Sequence, residues 1–259
     1  MSARTRTATA MAFRDQRRRP LVLILLVIIP VYVITKSIAQ TQATPRQIGL
    51  PGGSVVTTTM KALHGPGMAG LMVAFVAAIV GVFVMQSALL GDRRLVLAGF
   101  RPSEAVFARV AVLIAATGIV VGASAVSMAL YFTPASWPRV IVALILTGLI
   151  YGAIGTLAGA VLDKLAATYL ILFLVMTDLG VAQSPMFHAT PGRFAVLLPG
   201  YAPDRLLYAG AFSGTFHAGG ELLLALAWLG ASAIAVYVVL RRAVGTRAEA
   251  SSMVPTGGC

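Results

Sequence analysis

Long apolar runs alternate along this chain with short segments rich in charge, proline and glycine. Six runs are long enough to cross a bilayer as helices, because about twenty residues at about 1.5 Å rise span about 30 Å. The predicted crossings are residues 20–38, 67–90, 105–132, 140–162, 165–184 and 221–240. We therefore expect an all-α, polytopic membrane protein in which residues 1–259 form a single transmembrane domain.

The first apolar run has two interpretations. It follows the arginines at 17–19 and ends near residues 37–39, as the core and cleavage site of a signal peptide would. However, it is longer than the roughly 7–15 residues of a signal-peptide core, and Lys36 lies just before the site. We favour an uncleaved crossing that Pro30 should kink, with residues 1–19 as a basic interfacial segment.

Two segments between crossings are predicted to lie outside the membrane. Residues 39–66 are polar and rich in turn formers, and residues 55–63 are expected to form a short helix leading back into the membrane. Residues 185–220 carry four prolines, at 185, 191, 199 and 203, and are too interrupted to cross. Their apolar pieces predict two short helices at the outer surface.

Composition and charge agree with a membrane class. The chain is 58% hydrophobic and 11% charged, where soluble domains carry about 25% charged residues. Fourteen of the 20 Lys and Arg residues lie at 1–19, 91–109, Lys164 and the tail after 240; six lie on the other side. The positive-inside rule explains the net charge of +12 better than nucleic-acid binding does, and it predicts cytoplasmic termini.

Sequence signatures of catalysis are missing from the chain. It contains no GxxxxGK[ST] phosphate loop and no HExxH zinc motif. The histidines at 64, 188 and 217 fall in predicted outer loops without metal-ligand spacing, and Cys259 is the single cysteine. Ser124 has no histidine on another crossing to activate it, so packing explains it better. We expect no catalytic residue, no metal site and no cofactor bound by this chain.

Small residues mark two crossings as places where helices pack closely. On the fourth crossing, Gly148 and Gly152, and then Gly155 and Gly159, stack on nearly one face. The third crossing carries its small residues at 118 and 122–124.

Asp178 is an acid well inside the fifth crossing, and an intramembrane carboxylate is by default a functional hypothesis. With no second buried ionisable partner predicted, it is a weak signal for a proton-coupled carrier, and a tolerated position at the outer interface is equally compatible. Glu221 opens the last crossing, where the helix dipole alone favours it. The candidate polar residues of a substrate path are Thr177, Asp178, Gln183 and Gln86.

The most charged interior segment is residues 91–109, which read GDRRLVLAGFRPSEAVFAR. Five charged residues fall within thirteen positions: Asp92, Arg93, Arg94, Arg101 and Glu104. Each would cost roughly 2.5–3.5 kcal/mol at a bilayer centre, so this segment does not cross. Apolar residues lie between the charges, and Pro102 begins a helix-start pattern, which predicts a short amphipathic helix at the membrane surface.

Together these features resemble the membrane subunit of bacterial ABC-2 type transporters. The resemblance rests on six crossings with both ends inside, a basic run before the first crossing, the inner loop DRR…GFRPSE…R, and the outer segment LPGYAP at 198–203. It covers most of the chain.

This resemblance implies a type V exporter-like architecture, in which two copies of the permease, taken as a homodimer, join two separate ABC ATPase subunits. The ATPase would bind ATP and Mg, and the chain itself would contact lipids but no nucleic acid. The implied ATPase-coupling residues are Asp92, Arg93, Arg94, Phe100, Arg101, Pro102, Glu104 and Arg109. The implied function is export of a lipophilic or amphipathic small molecule across the bacterial cytoplasmic membrane.

Other interpretations of the residues stay open. Asp178 could instead serve an ion-coupled carrier or a small intramembrane enzyme. The chain could also be a membrane anchor that transports nothing, and the arginines of 91–109 could act as topology signals alone.

Overall fold

The computed structural model describes residues 20–97 and 102–252, and these residues are mostly helical. The helices are α1 (Pro20–Gln40), α2 (Met60–Leu97), α3 (Pro102–Ala129), α4 (Trp137–Val161), α5 (Lys164–Val175), α6 (Tyr201–Phe212) and α7 (Gly219–Ser252). A β-hairpin of β1 (Pro45–Gly49) and β2 (Val55–Thr59) separates α1 from α2. A π-helical segment, Met176–Ala182, continues α5, and a 3-10 helix, Arg193–Leu197, precedes α6.

Five stretches in the described part of the chain are long and apolar enough to cross a membrane. They are Met60–Ser87, Phe107–Ala129, Trp137–Val161, Lys164–Ala182 and Gly219–Val239. Each overlaps one of the apolar runs predicted to cross. α1 is 21 residues long, and its apolar stretch Leu26–Gln40 lies within it. The structure is therefore that of a membrane-embedded, multi-pass protein with five long apolar helices.

The hairpin replaces the short helix that we predicted at residues 55–63. β2 consists of Val55, Val56 and three threonines, and these β-branched side chains favour extended backbone. Gly52 and Gly53 make the turn with φ values of 83° and 79°, a region that glycine enters without steric cost. The strands pair antiparallel from Pro45 opposite Thr59, and α2 begins directly after β2.

The two short helices predicted in residues 185–220 are present as the 3-10 helix and α6. This segment lies at the same end of the bundle as the hairpin, because Arg205 of α6 donates to the Gly49 carbonyl and the Gly49 N–H donates to the Ala189 carbonyl at 3.0 Å. We call the hairpin together with residues 183–218 the cap.

Helices α2 and α4 form the centre of the bundle. A Cβ added at Gly155 would lie 1.9 Å from the Ala78 carbonyl oxygen, and one at Gly81 would lie 2.2 Å from the Gly152 carbonyl oxygen. The two backbones are therefore in direct contact, and the packing face predicted for the fourth crossing is confirmed.

Two small residues of the third crossing contact no other helix within the described part of this chain. A Cβ added at Gly118 or at Gly122 would meet nothing within 4 Å, and both residues are exposed. Ser124, in contrast, is fully buried. Sequence spacing shows that a helix has a face of small residues, but it does not show that another helix packs on that face.

The end of α2 corrects the prediction of a separate surface helix at 91–109. The backbone of residues 91–97 continues α2, and α3 begins at Pro102. With 38 residues, α2 measures about 57 Å, well beyond a hydrocarbon core of about 30 Å. Outside the described residues lie positions 1–19, Phe100, Arg101, the last seven positions, and the side chains of Asp92, Arg93, Arg94, Pro102 and Glu104.

Candidate functional site

The buried polar side chains at the cap end of the bundle cluster around Asp178. This residue lies in the π-helical segment Met176–Ala182 and is only 1% exposed. The Gln183 N–H donates to the Asp178 carbonyl at 2.9 Å, a bond between residues five apart that is the mark of π-helical backbone. Such single π-turns inside α-helices occur frequently at functional sites.

Three donors converge on the Asp178 carboxylate. The Tyr151 hydroxyl donates to Oδ2, the Gly200 N–H donates to Oδ2 at 2.9 Å, and Gln183 Nε2 donates to Oδ1 at 3.1 Å. These donors come from α4, from the residue before α6, and from the end of the π-helical segment. Hydrogen bonds of this kind favour the charged form of a carboxyl group, which opposes the cost of burying it.

Gly200 can reach the acid because it has no side chain. A Cβ at this position would lie 2.6 Å from the Tyr151 hydroxyl oxygen and 2.9 Å from Asp178 Cγ. The glycine of the LPGYAP segment, which we used only as a mark of resemblance, is therefore a position where close approach of the backbone requires glycine.

Asp204, in the first turn of α6, is a second buried acid, 6% exposed. Its N–H donates to the Gly200 carbonyl at 3.0 Å, so Gly200 is hydrogen-bonded to both aspartates. Burial, and then the neighbouring Asp178, raises the pKa of the Asp204 carboxyl well above its ordinary value, while Arg205 acts to lower it. The expectation that Asp178 has no buried ionisable partner is wrong.

A small pocket with room for about one water molecule lies between this cluster and the hairpin, and Gly49, Gln183, His188, Asp204, Arg205 and Tyr208 are among its lining residues. Arg205 Nη1 donates to the Gly49 carbonyl. Gln183 Oε1 and Arg205 Nε are buried without a hydrogen-bond partner among the described residues. The pocket therefore offers an acceptor and a donor to a polar guest of the size of water.

The predicted substrate-path residues are only partly brought together. Gln183 contacts Asp178, but Thr177, although it is next to Asp178 in the π-helical segment, has an exposed side chain. Gln86 lies at the opposite end of the bundle, where its Nε2 donates to the carbonyls of Gly159 and Leu162 at 2.7 and 2.8 Å. Its role there is to bond carbonyls that the end of α4 leaves unpaired. Tyr151 and Asp204, which sequence analysis did not select, belong to the site.

Arg109 is a predicted coupling residue whose side chain the structure describes. Its Nη1 donates to Ser87 Oγ at 3.0 Å. This bond joins α3 to α2 just before the apolar run of α2 ends at Leu90. Close by at the same end of the bundle, Lys164 Nζ lies 4.6 Å from the centre of the Phe83 ring.

Within the described ranges, no group of three or more His, Cys, Asp or Glu residues could hold a metal ion. His64 lies in α2 rather than in the predicted outer loop, and its Nδ1 lies 3.2 Å from the Met60 carbonyl oxygen. The chain matches no model of a known protein family, and no curated protein matches it.

Proposed function

We propose that this chain is the permease subunit of an ATP-driven exporter of the ABC-2 type. In this proposal it has six crossings, lies in the bacterial cytoplasmic membrane, and pairs with a second copy of itself. A separate ATPase binds ATP and Mg and supplies the energy. The cargo is a lipophilic or amphipathic small molecule, because the long helices carry very few charges.

The observation that carries this proposal is the extension of α2. The apolar run of the helix ends at Leu90, and the helix itself ends at Leu97. Seven more residues add about 10 Å of helix beyond the apolar run, and this part contains Asp92, Arg93 and Arg94. α3 begins at Pro102, five residues after Leu97, so Asp92, Arg93 and Arg94 belong to a helix that continues past its apolar run.

Charge of mixed sign in residues 91–109 supports a protein partner. Asp92 and Glu104 accompany the arginines of the segment. An anionic lipid surface would favour a purely basic face, whereas paired signs suit complementarity to another protein. The Arg109–Ser87 bond holds α2 and α3 together near the start of the α2 extension, which would let a movement of its tip reach the membrane part.

The test is to co-purify the permease with a candidate ATPase subunit, a P-loop protein sought among the products of the neighbouring genes. Phe100→Ala or Arg101→Glu should leave the protein inserted and folded but weaken ATPase binding by about 1–3 kcal/mol, or roughly ten- to a hundred-fold. Arg193→Glu, an exposed change in the cap, is the matched control and should bind normally. Unchanged co-purification and unchanged stimulation of ATP hydrolysis in both loop variants would contradict the proposal.

Topology gives a second test of the same proposal. Reporter fusions at Gly53 and Ser213, which lie in the cap, should report the outside. Fusions at Gly99 and Gly257 should report the cytoplasm, because the basic residues concentrate on that side. An outside signal at Gly99 would exclude contact between the coupling segment and a cytoplasmic ATPase.

A second candidate function is an ion-coupled carrier, and the buried Asp178–Asp204 pair is the observation that favours it. In that case Asp178→Asn should abolish transport and its dependence on pH, and transport should continue in ATP-depleted vesicles that keep a proton gradient. For the exporter, the variant should keep its ATP dependence and change only how cargo is handled.

A further inference from the structure

We propose that Asp204 is a proton-binding site, loaded from the solution at the cap end, and that Asp178 and Asp204 together hold one proton and one negative charge. In the loading step, hydronium transfers its proton to an Asp204 carboxylate oxygen and leaves as water. Nothing in this step requires nucleotide hydrolysis, so the site does not rest on the exporter proposal.

The first argument is that two buried acids lie together, and that Arg205, the cation that acts on Asp204, forms no ion pair with it. Gly200 is hydrogen-bonded to both residues, through its N–H to the Asp178 carboxylate and through its carbonyl to the Asp204 N–H. No described Lys, Arg or His forms an ion pair with either carboxyl group. Two adjacent negative charges in such surroundings would repel each other strongly, so one carboxyl keeps a proton.

The hydrogen bonds decide which acid carries the charge. Both oxygens of Asp178 accept hydrogen bonds, from Tyr151 and Gly200 at Oδ2 and from Gln183 at Oδ1. The Asp204 carboxyl accepts none from the part of the chain that the structure describes, although it is buried. Donors stabilise the ionised form and burial without donors favours the neutral form, which places the charge on Asp178 and the proton on Asp204.

The pocket gives the proton both a route and an acceptor. Asp204 lines it, and so does the exposed His188, so the carboxyl borders a space next to the cap surface. Gln183 lines the same pocket, and its Oε1 is buried without a partner among the described residues. An acid O–H needs such an acceptor, directly or through one water.

The groups around Asp204 are compatible with this assignment. On α6, Arg205 favours the ionised form, but its Nη1 is bonded to the Gly49 carbonyl, and Tyr208 is buried with its pKa raised by burial and by Asp204. From the other elements, Asp178 opposes ionisation, Tyr151 donates to Asp178, and His188 lies at the pocket. Loss of the proton would leave like charges on both sides of Gly200, so α6 and the rest of the cap should loosen as pH rises.

The experiment measures the thermal unfolding midpoint of the purified full-length chain, without an ATPase, from about pH 4 to about pH 9. A carboxyl whose pKa is raised in the folded state stabilises the fold fully below its ordinary value of 3.8. That stabilisation is lost as pH rises through the raised pKa. Asp204→Asn mimics the neutral acid. The unfolding midpoint of the variant should therefore increase relative to that of the wild type as pH rises, as expected when one proton is linked to unfolding.

His188→Gln is the control, because this histidine lines the same pocket without belonging to the acid pair. When His188→Gln is present in both proteins, the difference in unfolding midpoint between the chain with Asp204 and the Asp204→Asn variant should be unchanged. A difference between wild type and Asp204→Asn that is independent of pH, or one that His188→Gln removes, would overturn the proposal.

Infrared spectroscopy with carbon-13-labelled aspartate provides a measurement that does not depend on the stability of the variant. The folded wild type at neutral pH should show the carbonyl band of a protonated carboxyl group, and this band should disappear at alkaline pH. Asp204→Asn should lack the band, and Asp163→Asn, an exposed change at the opposite end, should keep it. A wild type without any protonated carboxyl at neutral pH would exclude the proposed site.

Discussion

The contacts that stabilise the centre of the bundle differ in kind from those that stabilise the cap. Between α2 and α4, glycines such as Gly155 and Gly81 bring two backbones into direct contact. The cap buries apolar side chains such as Leu207, and polar side chains also reach its backbone carbonyls over long sequence distances. Arg139 donates to the carbonyls of Ser213, Gly214 and Thr215 at 3.2, 3.0 and 3.0 Å, and Gln183 donates to that of Ala195 at 2.8 Å.

This difference determines how each region responds to change. A close-packed backbone contact cannot absorb even one added carbon without moving a helix. A set of separate hydrogen bonds can be broken one at a time, at a net cost of about 1 kcal/mol for each. We therefore expect the α2–α4 contact to behave as a rigid unit and the cap to be the region that opens.

The largest effect is expected for Gly155→Ala in the centre of the bundle. The new methyl group would lie 1.9 Å from the Ala78 carbonyl oxygen, and the expected loss is about 3 kcal/mol of unfolding free energy, measured by denaturation in detergent. Gly118→Ala is the matched control, since its methyl group would meet nothing within 4 Å. It should be neutral or gain up to about 1 kcal/mol from helix propensity. Equal losses in the two variants would contradict the backbone contact.

An intermediate effect is expected for Tyr151→Phe, where the bundle meets the cap. The change removes one of three donors to the Asp178 carboxylate, and the loss should be about 2 kcal/mol because the acceptor is charged and buried. Tyr169→Phe on the exposed side of α5 should change the unfolding free energy by less than about 0.5 kcal/mol. If both variants unfold alike, the hydroxyl does not support the acid.

The smallest and most local effect is expected for Arg139→Met. The variant keeps much of the apolar stem but loses the hydrogen bonds to three consecutive carbonyls. It also loses the contact of the guanidinium group with the Phe216 ring, whose centre lies 5.7 Å away. Amide hydrogen exchange at residues 213–218 should become about tenfold faster, with little change in the α2–α4 contact. Arg193→Met, on an exposed arginine, should leave exchange as in the wild type. Uniform acceleration across the chain would mean that cap and bundle open together.

Hydropathy predicted the long helices well, because a membrane-spanning helix needs a continuous apolar run that is visible in one dimension. It failed at the hairpin, where the apolar and polar residues at 55–59 fit a helix end as well as a strand, and only the β-branched side chains favoured the strand. The glycine face of α4 was predictable from spacing. The exposure of Gly118 and Gly122 was not, because it depends on where the neighbouring helices lie.

The candidate site was half visible in the sequence. Asp178 was conspicuous as a charge within an apolar run. Asp204 was not, because it lies in a proline-rich segment that resembles an exposed loop. Its burial follows from the approach of Gly200 to Tyr151 and Asp178, a tertiary contact for which neither periodicity nor composition gives a signal.

The π-helical segment Met176–Ala182 also sets the angle around the helix axis between the side chains of Asp178 and Gln183. A π-turn accommodates one residue more than α-helical bonding would. Asp178 and Gln183, five positions apart, would lie about 140° apart around an ordinary α-helix, whereas on the π-helical backbone their side chains meet. A one-residue deletion between them would restore an α-helical turn, with the two side chains four positions and about 40° apart. When related sequences are aligned, a one-residue gap at positions 179–182 would therefore mark chains in which an ordinary α-helix holds the same pair.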